Sequence, residues 1–477
     1  MPLNAPRTRD KTAGPTILVV AYHFAPENVS GTHRSLHFAR SLYDAGDDVQ
    51  VLTVPVDQAR ASDASLNRVF PYPERVTRVA EGKTLGRLYL SARGQRQADY
   101  QADSGPANAR GSRATGGQRR RLGPLRQLRR HVAAWDALPD HQRGWYKTAV
   151  RAGLQLARDL EVDAVFASGP PWTGLLVAAA LARKTGVPFI ADFRDPWTGN
   201  TGRQTPYDFE WCHRLAKRWE RRVFRDATLT LFNSPAIMDR AVAHYRDLDW
   251  GAVQTILNGS NAPRRAESSS FPVSPPLVFS HFGNLYRGRS IEPLIDGLQV
   301  LLKRGSLEPG DVRIDLVGRR ADEVQRLSSS PPAGIGIQAI STLPYQEAIK
   351  RMAEPSVLLV AQPPNLNVQI PTKLYDYLCT GNPVVVMAAE DSATWRTGVD
   401  FPRCRRLDYS ELEGNAAVLT ELVDNWRAGS LLQVRTTKDT AALTKRALGE
   451  EFVRAVNAMI ESADDSKLRR VNLASTR

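Results

Sequence analysis

The chain has 477 residues, 42% hydrophobic and 24% charged, with a net charge of +14. This length leaves room for two or three domains with sizeable cores, and the ordinary composition excludes collagen-like and low-complexity proteins. Its three scattered cysteines, Cys212, Cys379 and Cys404, exclude a disulfide framework and any CxxC metal motif and fit a reducing compartment.

The opening residues, MPLNAPRTRDKTAGPT, lack the apolar core of a signal peptide. The longest apolar runs, such as Leu175–Ala182 and Val384–Ala389, are far shorter than the roughly 18 to 20 residues that span a bilayer. A cytoplasmic location is expected, with a flexible stretch over residues 1–15.

TILVVAYHF, from Thr16 to Phe24, reads as a buried parallel strand. A small-residue loop, Pro26-Glu27-Asn28-Val29-Ser30-Gly31-Thr32, follows, and then an amphipathic helix from about Thr32 to Ala45, carrying Leu36, Ala39 and Leu42 at helical spacing. Such a loop at a helix N-terminus suits the approach of a phosphate or sugar to backbone amides, with Gly31, His33 and Arg34 nearest, although an ordinary strand–helix turn explains it equally well. Val49 to Val54 is the next strand.

Residues 83–130 break the pattern. Between Arg87 and Arg130 there are eleven arginines, two acids and no lysine, so most of the net charge sits in this one insert. Its middle reads as disordered, and a short basic amphipathic helix is expected after Pro124. The insert is either a solvated arginine-biased loop or a contact for an anionic membrane surface. Without aromatic interleaving or a known module, nucleic acid is not an expected partner.

Strand–helix alternation resumes with Asp163 to Ser168, the helix Thr173 to Lys184, and Pro188 to Phe193, a strand ending at Asp192-Phe193-Arg194-Asp195. These crowded charges are candidates to orient a sugar or an acceptor hydroxyl; a loop salt bridge is the competing reading. A long helix from about Phe209 to Phe224, a strand from Thr228 to Asn233, a helix beginning near Pro235 and a segment Gln254 to Asn258 complete a first α/β domain over 16–261. The Pro/Ser-rich segment 262–276 reads as a linker.

A second series follows over 277–439: strands Leu277–Gly283, Val312–Gly318, Val357–Gln362 and Val384–Met387, and helices Ser290–Lys303, Tyr345–Met352 and Thr372–Cys379. A last helix, 440–462, is expected to pack back before a flexible tail, 463–477. Two alternating series imply an α/β protein with two doubly wound Rossmann-like domains facing across a cleft, with ligands at the C-terminal strand ends. No GxGxxG follows either first strand, and GxxxxGK[ST], GxSxG and HExxH are absent.

HFGNLYRGRSIEPLIDGL, from His281 to Leu298, and QIPTKLYDYLCTGNPVVV, from Gln369 to Val386, resemble the family-4 retaining glycosyltransferases of the GT-B fold. SGTHRSLHFARSLYDAG, FASGPPWTGLL, ADFRDPW and NGSN fall in register with the same family. The resemblance implies a sugar transfer from a nucleotide-diphosphate sugar to a glycan or lipid-linked acceptor, in polysaccharide or glycoconjugate biosynthesis, with retention and with no cofactor or metal.

Carried over residue by residue, Gly283 keeps the family's glycine, Asn284 replaces its arginine and Arg289 stands for its lysine, so Arg289 is the expected diphosphate cation and Arg287 a candidate substitute for the missing one. The family's paired acids fall on Val368 and Asp376; Asp376 is the expected ribose acceptor, whereas Val368 cannot hold sugar hydroxyls. Arg289, Lys373 and Asp195 are the expected catalytic residues. Gly31, Gly283, Asn284, Arg287, Pro371, Thr372 and Asp376 are expected to hold the donor, and His33, Arg34, Asp192 and Arg194 to line the acceptor cleft. Lys373 and Asp376 also fit a plain i, i+3 ion pair on a helix surface. A nucleotide-sugar epimerase on the same scaffold and a catalytically silent subunit are the alternatives.

Overall fold

The computed structural model describes residues 14–58, 62–83, 124–199, 209–263, 273–285, 288–318, 322–431 and 440–475. Most of the arginine-rich insert, most of the expected linker, Arg287 and the chain ends lie outside the described residues.

The first half of the chain runs β1 (Thr16–Val20), α1 (Ser30–Asp44), β2 (Asp48–Thr53), β3 (Val76–Arg78), α2 (Pro124–Asp136), α3 (Trp145–Asp159), β4 (Ala164–Gly169), α4 (Trp172–Thr185), β5 (Phe189–Phe193), α5 (Glu210–Asp226), β6 (Leu229–Phe232), α6 (Pro235–His244) and β7 (Ala252–Thr255). Its seven strands form one sheet in the order β3-β2-β1-β4-β5-β6-β7. The ladders from β3 to β6 are parallel. Strand β1 sits at the centre because TILVV can bury both faces, and Ile17 to Val20 have no exposed surface. The order turns back between β1 and β4, the switch point where doubly wound sheets place their ligands.

The second half runs β8 (Leu277–Phe282), α7 (Glu292–Lys303), β9 (Val312–Val317), α8 (Asp322–Ser329), β10 (Ile335–Ile340), α9 (Tyr345–Arg351), β11 (Val357–Ala361), α10 (Thr372–Thr380), β12 (Val384–Met387), α11 (Ala393–Gly398), β13 (Cys404–Leu407), α12 (Leu412–Arg427) and α13 (Lys445–Ser475). Its six parallel strands take the order β10-β9-β8-β11-β12-β13. Alternate strand residues feed two cores: Leu359, Val385 and Met387 pack with Leu294 and Leu298 of α7 and Leu419 of α12. Leu358, Val384 and Val386 pack with Leu374, Tyr375 and Tyr377 of α10.

The chain divides into two compact units, Met1–Phe232 with Ala241–Gln254 and Phe452–Arg477, and Asn233–Arg240 with Thr255–Glu451. The C-terminal part of α13 therefore belongs to the first unit, where Phe452 stacks on Phe38 at 4.0 Å between ring centroids.

The apolar-run and periodicity reading omits β3, β10 and β13, along with α3, α8, α11 and α12. Strands β3, β10 and β13 lie at or beside sheet edges, where one flank is solvated and residues such as Arg405 and Arg406 are tolerated. Edge strands therefore lack the apolar runs by which central ones are recognised. Helix α12 has its apolar stripe interrupted by Gly414 and Asn415 near its start. The last helix starts at Lys445 rather than near Thr440, because Ala441–Leu443 forms a separate 3₁₀ turn.

Candidate active site

The C-terminal ends of β8, β9 and β11 and the N-terminus of α10 converge in the second unit. At the end of β8, Gly283 has φ +125°, a conformation an L side chain rarely adopts. A β-carbon there would lie 2.5 Å from Cε of Lys373, so the lysine side chain occupies the space a larger residue would need. Gly318, at the end of β9, makes a second close approach: a β-carbon on it would meet the Gly283 carbonyl at 2.6 Å and Oδ1 of Asn284 at 3.3 Å. Two strand ends can come this close only because both residues lack side chains.

Lys373 lies in the first turn of α10, after Pro371 at the N-cap and the exposed Thr372. Its ammonium is half-buried and makes no hydrogen bond or ion pair with the described residues. Burial first, and then the neighbouring charge of Arg289, push it down to about 8, against the opposing pull of Asp376. Nη2 of Arg289 donates to Oε1 of Gln362 at 3.5 Å. The buried Gln362 donates in turn to the carbonyls of Leu366 (2.8 Å) and Gln369 (3.3 Å), which shapes the loop leading into α10. The structure thus brings Arg289, Lys373, Gly283, Asn284, Pro371 and Thr372 to one end of one sheet.

Asp376 stands one turn into α10 and is buried, with Oδ1 accepting from the Ser260 hydroxyl at 2.6 Å. Burial raises its carboxyl, opposed by Lys445, the Ser260 bond and Lys373. The surface ion pair between Lys373 and Asp376 that the i, i+3 spacing allows is not formed. At the position of the family's first acid, the Val368 carbonyl accepts from the Ser234 hydroxyl at 3.0 Å.

His281 was not among the sequence candidates. Its Nδ1 lies 2.9 Å from the Leu359 carbonyl, so that nitrogen carries the proton and Nε2 is the acceptor. The ring is 6% exposed, and Nε2 is buried with no hydrogen-bond partner. Burial, and then Lys373, push the imidazole down to about 3 and keep it neutral. The usable signal was a histidine at the C-terminal end of an otherwise apolar strand.

In the first unit, Arg34 of α1 grips Asp192 at the end of β5 through Nε (2.8 Å) and Nη2 (2.8 Å), while the Ser168 hydroxyl donates to the same carboxylate at 2.5 Å. Asp192 has no exposed surface and Arg34 only 7%. The two residues expected to line the acceptor cleft pair with each other, because a carboxylate ending a central strand needs a cation once it loses water. The neighbouring Arg194 donates to the carbonyls of Ser30 (3.2 Å) and Pro170, and its Nη2 would lie 3.2 Å from a β-carbon on Gly31. His33 pairs through Nε2 with Oδ1 of Asn28 at 3.0 Å. Asp195 is half-buried in the loop after β5. Gly31, His33, Arg194 and Asp195 thus belong to the strand ends of the first unit, a separate body from the Lys373 cluster.

Among the described residues no group of three or more His, Cys, Asp or Glu is placed to hold a metal ion. No described helix is long and apolar enough to cross a membrane.

Residues 31–259 match the family model described as a glycosyl transferase 4-like domain. No curated protein sequence matches the chain. Among solved structures, HepE (Alr3699) from Anabaena in complex with UDP-glucose is similar, at 15% identity, TM-score 0.52, covering 94% of this chain and 99% of its own. Sucrose-phosphate synthase from Thermosynechococcus elongatus is similar at 14% identity and TM-score 0.54, covering 97% and 100%. A protein described as a UDP-N-acetylglucosamine 2-epimerase from Listeria monocytogenes shares the fold at 8% identity and TM-score 0.52, covering 94% and 98%. With its two Rossmann-like parallel sheets, the chain has the two-domain GT-B fold of these structures, and its residues 31–259 match a glycosyl transferase 4-like domain.

Proposed function

We propose that the chain is a glycosyltransferase that uses a nucleoside diphosphate sugar, UDP-linked by likeness to HepE, and transfers the sugar with retention to a glycan or lipid-linked acceptor in polysaccharide or glycoconjugate assembly. The observation that carries this reading is the Lys373 ammonium, half-buried against Gly283, beside Arg289 and without a partner among the described residues. Two cations held together out of water cost free energy, and a diphosphate between them removes that cost.

Chemically, the bond between the anomeric carbon and the phosphate oxygen breaks and the electron pair leaves with the diphosphate. Arg289, Lys373 and the first-turn amides of α10 stabilise the charge that develops there. The acceptor hydroxyl attacks from the same face and passes its proton to the departing phosphate oxygen. Asp376 offers its second oxygen to a ribose hydroxyl. Charge neutralisation by protein cations performs the task without a metal. Thermal-shift titration with UDP, GDP and their sugars tests the donor class, because a ligand that binds the folded state raises Tm. No stabilisation by any nucleoside diphosphate rejects the reading.

A location at the inner face of a membrane is part of this proposal. On α2 of the first unit, Val132 is 40% and Trp135 41% exposed. Arg130 lies over the Phe209 ring at 5.4 Å and Arg143 over Trp135 at 4.0 Å. Aromatic side chains flanked by arginines suit an interface with anionic headgroups.

A further inference from the structure

Ser260, in the NGSN segment from Asn258 to Asn261, has every polar atom engaged. Its amide donates to the Leu443 carbonyl and its carbonyl accepts from the Lys445 amide, each at 2.9 Å, in a parallel bridge with Thr444. Its hydroxyl accepts from the Ala262 amide at 2.8 Å. With that lone pair taken, the hydroxyl proton is directed at Oδ1 of Asp376, 2.6 Å away. Ser260 is 2% exposed and Asp376 5%, so water competes little for this bond.

The segment that grips Ser260 is itself anchored. The Lys445 ammonium donates to the Tyr345 hydroxyl of α9 at 2.8 Å. A β-carbon on Gly259 would meet Cδ1 of Leu448 at 2.7 Å, so residues 259 and 260 lie tight against the start of α13. An aspartate on a helix can turn about two side-chain bonds, and a short hydrogen bond from a rigid donor removes that freedom. The direction of the Asp376 carboxylate is therefore set by a residue 116 positions earlier in the chain as well as by α10.

We infer that Ser260 is a positioning residue for the donor's ribose: its hydroxyl holds Oδ1 of Asp376, so that Oδ2 meets a ribose hydroxyl in one fixed orientation. The site thereby separates ribonucleotides from nucleotides that lack ribose hydroxyls. The inference rests on the reading of Asp376 as the ribose acceptor, and adds what aims it. Because Arg289 and Lys373 are given to the diphosphate, turning Asp376 away costs the ribose contact alone.

The test measures, by isothermal titration on the full chain, the affinity for UDP and for 2′,3′-dideoxy-UDP, with GDP and its dideoxy form in parallel. The parent is expected to bind the ribonucleotide about tenfold or more tightly, the scale of a hydrogen bond to a charged acceptor. In Ser260→Ala this ratio should fall to about threefold or less, with the dideoxy affinity unchanged. Ser260→Cys, similar in size but a weaker donor, should lie between. Asp376→Ala should bring the ratio to about one, and adding Ser260→Ala should change it no further, because both act on one contact. A parent-like ratio in Ser260→Ala overturns the role of Ser260, including the case where both nucleotides weaken equally, as a purely structural serine would produce. A parent that binds both forms alike, or binds neither, overturns the ribose reading of Asp376 and the role of Ser260 with it. Thermal melting of each variant identifies a failure to fold, and Ser260→Cys then carries the comparison.

Discussion

The side chain of Lys373 lies across the α-carbon of Gly283, close enough that a β-carbon at 283 would come within 2.5 Å of its Cε. The glycine at the end of β8 is thus a seat for the cation of α10 as well as a turn. Gly283→Ala is expected to displace the ammonium and to lower turnover about 10²-fold, the scale of losing one charge-stabilising donor. The double variant Gly283→Ala with Lys373→Ala should be little worse than Lys373→Ala alone, because both remove the same contact. Additive losses in steady-state kinetics would separate the two roles.

Arg289→Ala and Lys373→Ala are each expected to lower turnover by about 10²-fold or more. Donor hydrolysis without acceptor and full transfer should fall together, since both need the leaving diphosphate stabilised. Near-normal rates in both variants would remove the phosphate grip.

Affinity for UDP should depend on pH through Lys373. In the empty protein its ammonium loses its proton near pH 8, and a bound diphosphate favours the charged form. Binding therefore takes up a proton above pH 8: affinity is full below that pH and falls as pH rises through it, by up to about tenfold per pH unit. Isothermal titration across pH 7 to 10 reads the slope, and Lys373→Arg should flatten it.

The pair of Arg34 and Asp192 is expected to matter for folding. Arg34→Ala leaves a carboxylate with no exposed surface and no cation, a change that costs about 3 to 5 kcal/mol. Replacing both, as Arg34→Met with Asp192→Leu, should recover most of that loss in denaturant unfolding. Equal stability of Arg34→Ala and the parent would mean the pair is not the support its burial suggests.

Binding to anionic vesicles should weaken when residues 87–130 are deleted and also, more modestly, in Trp135→Ala, with co-sedimentation as the readout. Binding to neutral vesicles should be weak throughout. Unchanged sedimentation of the deletion rejects the membrane role.

Central strands were legible in the sequence because a strand buried on both faces must be a continuous apolar run, as TILVV and VVVM are. The alternation of such runs with amphipathic helices was enough to specify two doubly wound sheets. Edge strands β10 and β13 were not legible, since their solvated flanks free them from that constraint. The resemblance to the family-4 glycosyltransferases singled out Gly283, Arg289 and Lys373. It could not tell whether Lys373 would pair with Asp376, since i, i+3 spacing permits contact without requiring it. Folding sends Asp376 inward to Ser260 and Lys373 outward over Gly283, and packs Arg34 against Asp192, 158 residues away in the chain. Local pattern determined the elements and their chemistry. Which charged groups face each other depends on how distant strands come into register, and that was decided only by the tertiary structure.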